Sequence, residues 1–144
     1  MVVAALLTAA RIGARNVRRV RFWTLEEATA ALPEVRVLVQ RMRELVAAAT
    51  ERARRTRGNG GPSGNGQTPA AGAADADLRA VLSDLTDRGI VVRDPARGLI
   101  DFPARSPTGR EYLLCWLDGE DAIEWWHWPE AGFAGRTPLA RPPD

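Results

Sequence analysis

The pattern that most constrains this chain is one stripe of apolar residues, Leu25, Ala28, Leu32, Val35, Val39, Met42, Val46, Ala49 and Ala53, spaced alternately three and four apart. Residues at that spacing share one helical face, and such a helix is stable in water only when the face is buried against a partner. Thr24-Leu25-Glu26-Glu27 supplies the start, because a Thr cap and a Glu three residues on satisfy free amide donors. Pro33 interrupts the pattern: the residue before a proline avoids the helical region, whereas the proline itself suits a first turn. The expectation is a short helix ending near Ala31 and a second opening at Pro33, with one kinked helix as the alternative.

Residues 56–74 contain six Gly, two Pro and no large apolar side chain, and are expected to form a flexible linker. They follow a helix and carry no Lys, so they are not a phosphate loop. All twenty basic residues of the chain are Arg, which also removes Schiff-base lysine chemistry. Beyond the linker, Asp75 or Asp77 is placed to cap a helix with Leu78, Val81, Leu82 and Leu85 on one face and Gly89 at its end. Two striped helices joined by a loop pack as an antiparallel hairpin.

After Gly89 the period falls to two. Ile90-Val91-Val92 and Leu99 to Phe102 flank a turn at 94–98, and Arg110 to Leu117 and Ala122 to Trp128 flank a turn at 118–121. The fold class read from this order is α+β: a helical hairpin, with a short preceding helix, on a small antiparallel sheet of about four strands. Tyr112, Leu114 and Trp116 share one face of their strand and Leu113, Cys115 and Leu117 the other; Ile123, Trp125 and His127 oppose Glu124, Trp126 and Trp128. Both faces are apolar, so the sheet needs cover on both, and Pro129 to Arg136 is available to supply the second.

Charge and cysteine usage bound the partners. Residues 1–74 hold 12 Arg against 5 acids, giving +7, and residues 75–144 hold 8 Arg against 13 acids, giving −5. The basic excess sits in residues 1–21 and at a helix end, without interleaved aromatics, which does not point to nucleic acid. Residues 1–21 carry five Arg and no acid and are expected to be a disordered basic extension, with residues 139–144 a disordered tail and 22–138 a single domain. The apolar run Val2 to Ala10 is too short to span a bilayer and precedes its positive charge, unlike a signal peptide. The lone Cys115 excludes an internal disulfide. A cytoplasmic protein of a GC-rich bacterial genome is the expectation.

Several stretches resemble one family. Phe22 to Ala28, Leu32-Pro33-Glu34-Val35, Gly98 to Pro103, Leu114-Cys115-Trp116 with Gly119-Glu120, Trp126-His127, and Gly132-Phe133 with Gly135-Arg136 are similar, in order, to the DUF2203 family of small bacterial proteins. The resemblance runs from about Phe22 to Pro138 and implies no activity, since that family is one of unknown function.

Two sets of side chains are candidates for function. Trp116, Trp126 and Trp128 with Arg110 and Arg136 form a candidate binding face, in which guanidinium and ring hold a partner or small anion; a salt bridge from Arg136 to Glu120, Asp121 or Glu124 competes with that role. Asp101, Cys115, Glu120 and His127 offer the donor types of a divalent transition-metal site, although none of their spacings is a known ligand pair. A Cys115/His127 nucleophilic pair is a third reading, set against an inert core thiol. The favoured function is a non-enzymatic binding or adaptor module, with no cofactor, in which the hairpin contacts a protein partner or a second copy. The alternative is a small metal-dependent enzyme centred on His127, Glu120 and Asp101.

Overall fold

The computed structural model describes residues 20–58 and 68–144. Most of the expected basic extension, and residues 59–67 of the expected linker, lie outside the described residues. Among the described residues, two helices, α1 (Leu25–Gly58) and α2 (Pro69–Asp87), precede five strands: β1 (Val91–Asp94), β2 (Leu99–Arg105), β3 (Glu111–Leu117), β4 (Trp125–His127) and β5 (Thr137–Pro138). The sheet is an antiparallel meander in the order β1-β2-β3-β4-β5. This is the α+β hairpin-on-sheet arrangement, with five strands instead of about four. β5 escapes a sequence reading because it is two residues long and ends in proline.

The helix starts as expected, with the Glu27 N–H donating to Thr24 Oγ1 at 3.1 Å. It does not stop at Ala31. One helix runs through Pro33, and the apolar stripe explains why, since Ala28, Leu32, Val35, Val39 and Met42 are buried on both sides of the proline. A proline inside a helix costs about 3 kcal/mol, and continuous burial of that stripe outweighs it. Helix α2 also differs from expectation, opening at Pro69 and not at Asp75 or Asp77. Thr68 is its cap, accepting from the Ala71 N–H at 3.1 Å, and Pro69 takes the first helical position. The linker expected over 56–74 is therefore helical at both of its ends.

Helix α2 ends as the sequence indicates. Gly89, at φ +81°, lets the Ile90 N–H reach back to the Leu85 carbonyl at 3.1 Å, with both of those side chains buried. The inner face of the sheet, Ile100, Phe102, Ala104, Leu114 and Trp116, closes the core against α1, α2 and Trp23. Ion pairs such as Arg52–Asp75 and Arg88–Glu34 join the helices at partly exposed positions, where each contributes at most about 1 kcal/mol. The stripe, not the charges, holds the hairpin. The expected tail at 139–144 lies against the sheet instead: the Leu139 N–H donates to the Glu124 carbonyl at 2.9 Å and Trp126 Nε1 to the Arg141 carbonyl at 2.8 Å.

Two substitutions test this packing. Gly98 has φ +73°, and a Cβ there would lie 2.7 Å from Asp118 Cβ and 2.9 Å from Val39 Cγ1. Gly98→Ala is expected to destabilise by about 2–4 kcal/mol in urea unfolding with an unchanged m-value. Pro33→Ala is expected to stabilise by about 1–2 kcal/mol, because it restores a donor inside a continuous helix; destabilisation would mean that a helix boundary lies there.

Candidate functional site

Strand pairing on the outer face brings three distant residues together. Asp101 on β2 lies opposite Cys115 on β3, and His127 on β4 lies opposite Leu113, two residues from Cys115 on β3. Alternation along each strand sends all three side chains away from the helices. His127 then reaches diagonally over β3, with Nε2 3.1 Å from both Oδ1 and Oδ2 of Asp101. One ligand-type atom from each of Asp101, Cys115 and His127 lies within 4.8 Å of the other two. All three residues are buried.

The segment after β4 buries them. Pro129, Gly132 and Phe133 pass over the outer face and, with Arg93, Leu99, Asp101, Cys115 and His127, line a partly open cavity of about 100 Å³. Arg136 pins this strap. It donates to the Glu120 carboxylate at 2.6 and 2.9 Å and lies 5.0 Å from the Trp125 ring centroid and 4.8 Å from that of Phe133. Glu120 in turn accepts from the Leu117 N–H at 2.6 Å. The second cover expected from Pro129 to Arg136 is present, and Glu120 holds it in place.

Arg93 enters through an irregularity. The β1–β2 register shifts between Val92 and Asp94, leaving Arg93 as the extra residue of a bulge, and its Nε donates to Asp101 Oδ2 at 2.7 Å. On the other side of the site, His127 Nδ1 faces the Trp128 carbonyl at 2.7 Å. A carbonyl only accepts, so Nδ1 carries the hydrogen. With one hydrogen fixed on Nδ1, Nε2 meets the carboxylate at a distance that is attractive only when a positive centre, a proton or a cation, lies between the two.

Cys115 is not poised as a nucleophile. Burial pushes its thiol from the ordinary 9.0 up to about 12, Asp101 adds to the shift, and Arg136 opposes it. The group is a buried thiol beside a carboxylate, and the nucleophilic pair with His127 has no thiolate to use.

The expected sites are partly assembled. Asp101, Cys115 and His127 converge, whereas Glu120 is tied to Arg136 in the ion pair that competed with a binding role for that arginine. The Trp/Arg set does not form one face. Trp116 is buried on the inner face and donates through Nε1 to the Glu120 carbonyl, and Trp126 is buried against Tyr112 and Trp128. Arg110 stacks on Trp128 at 3.6 Å, apart from Arg136 on Trp125. Arg93, Leu99 and the Trp128 carbonyl are members of the site that the sequence did not point to, because a bulge and a backbone oxygen leave no residue-type signal.

A family model described as "Uncharacterized conserved protein (DUF2203)" matches residues 21–139. No curated protein and no solved structure matches the chain. Among the described residues no helix is long and apolar enough to cross a membrane.

Alkylation in the native state tests the thiol. At pH 8, Cys115 is expected to react about a thousandfold more slowly than in urea-unfolded chain, as a shift from 9.0 to about 12 requires. The raised thiol also contributes stability that is full below about pH 9 and falls as pH rises toward 12, because the unfolded chain releases that proton first. Cys115→Ala is expected to flatten this alkaline limb in pH-dependent urea melts. Fast native alkylation would contradict the burial described.

Proposed function

The chain belongs to the DUF2203 family, and we propose that it is a non-enzymatic, cytoplasmic binding module whose ligand enters the cavity between the outer sheet face and the Pro129–Arg136 strap. The convergence of Asp101, Cys115 and His127 on that cavity carries the reading. Buried polar groups are costly unless they are paired, and three of them lining one small cavity are typical of a site that fixes a small ligand. The volume of about 100 Å³ has room for about three water-sized groups. That suits an ion or a very small molecule. Cys115 stays a thiol in the cavity, which favours holding a ligand over nucleophilic turnover.

Contact with a partner protein or a second copy through the hairpin has less support. The stripe that motivated it, from Ala28 to Met42, is buried in the chain's own core.

Thermal melting of the full chain against a panel of divalent cations (Zn²⁺, Co²⁺, Mn²⁺, Mg²⁺) and small anions (phosphate, sulfate, acetate) tests the reading. At least one member is expected to raise Tm by several degrees, as binding to the native state alone requires. Leu99→Phe, which fills the cavity without replacing a polar group, is expected to remove that shift. A panel without effect, or a shift that survives Leu99→Phe, would overturn it.

A further inference from the structure

The ligand class follows from the donor set. We propose that Asp101, Cys115 and His127 together bind one divalent transition-metal ion of the Zn²⁺ type, with the fourth coordination position facing the cavity. This inference rests on the cavity being the binding site. One sulfur, one imidazole nitrogen and one carboxylate oxygen suit a borderline-soft ion and not Mg²⁺ or Ca²⁺, which take oxygen ligands.

The distances fit. Tetrahedral ligands at about 2.0–2.3 Å from an ion lie about 3.3–3.8 Å from one another. Here the three donor atoms lie within 4.8 Å, with His127 Nε2 and Asp101 Oδ1 at 3.1 Å, so side-chain adjustments of about 1 Å close the site.

The outer contacts are those a metal site needs. The Trp128 carbonyl fixes hydrogen on Nδ1 of His127 and leaves Nε2 as the donor facing the cluster. Arg93 bonds Oδ2 of Asp101, so Oδ1 can ligate alone while the other oxygen stays hydrogen-bonded. A Cys thiolate, an Asp carboxylate, a divalent ion and the Arg93 guanidinium sum to +1, a charge that one anion on the open position neutralises. On binding, the Cys115 thiol proton and any proton held between His127 and Asp101 leave to water, and no electron is transferred. The cavity beside Arg93, Leu99 and Phe133 then holds a water or one small anionic ligand on the open position.

Co²⁺ titration of the chelator-treated full chain is the test, since cobalt reports its ligands by absorption. One Co²⁺ per chain is expected, with a near-ultraviolet thiolate-to-cobalt charge-transfer band and the intense visible bands of a four-coordinate ion, all displaced by Zn²⁺. Cys115→Ser is expected to lose the charge-transfer band, and His127→Gln to weaken binding by more than about 100-fold. Glu44→Gln, at an exposed carboxylate on helix α1 away from the strap, is expected to keep both band and stoichiometry. Should the variants fold poorly, X-ray absorption on the Zn²⁺-loaded wild type decides alone: the expected shell is one sulfur at about 2.3 Å with nitrogen or oxygen at about 2.0–2.1 Å. A shell without sulfur, or no stoichiometric binding of Co²⁺ or Zn²⁺, overturns the metal. If small anions then raise Tm and no divalent cation does, the binding reading stands without the metal; if neither does, both fall.

Discussion

A carboxylate with no exposure to water must be compensated, and the outer half of this molecule is arranged around the compensation of Asp101. Its side chain lies on the middle of β2, in a sheet covered on both faces, where an unpaired charge would cost several kcal/mol. Arg93 reaches it from a bulge on one side, and His127 reaches it across β3 on the other. Only the first needs a distortion: β1 accommodates an extra residue for Arg93, whereas His127 arrives through the regular register of β2, β3 and β4.

Covering both faces of a small sheet requires two different devices. The inner face is closed by the striped hairpin, in which burial of Leu32, Val35, Val39 and Met42 is large enough to carry the helix past Pro33. The outer face is closed by a strap too short for a hydrophobic layer of its own. Its hold is polar and aromatic: Arg136 joins the Glu120 turn to the rings of Trp125 and Phe133. A cover fixed at such points leaves a gap over the centre of the sheet, and the three buried polar side chains stand at that gap.

Much of this was legible in the residues. The heptad stripe, the Thr24 cap, Gly89 as the end of the second helix and the change of period after it reflect local physical preferences that the folded chain respects. The strap was legible as well, because apolar residues on both faces of the strands demand a second cover. Pro33 misled because a local rule lost to tertiary packing. The start at Pro69 was hidden by an Ala- and Gly-rich stretch that resembles a linker, although Thr68-Pro69 is a cap followed by a favoured first residue.

The site was legible by residue type and not by geometry. Asp101, Cys115 and His127 stand out as rare polar residues among apolar strands, but their convergence depends on the register of three strands, which alternation alone does not set. Glu120 carries the same donor chemistry and belongs elsewhere, to Arg136. For the tryptophans, alternation separates Trp125 from Trp126 but does not say which face the helices cover. With that face decided, Trp116 and Trp126 are core residues.

The orientation of the chain's one histidine is the centre of this account, and a single His makes it directly observable. Long-range ¹H–¹⁵N NMR of uniformly labelled full-length protein reports which ring nitrogens of His127 carry hydrogen. The expected result is a protonated Nδ1, slow to exchange because it donates to the Trp128 carbonyl, with Nε2 as the nitrogen whose signal moves when Zn²⁺ is added. A ring with hydrogen on Nε2 alone and a bare Nδ1 would contradict the arrangement.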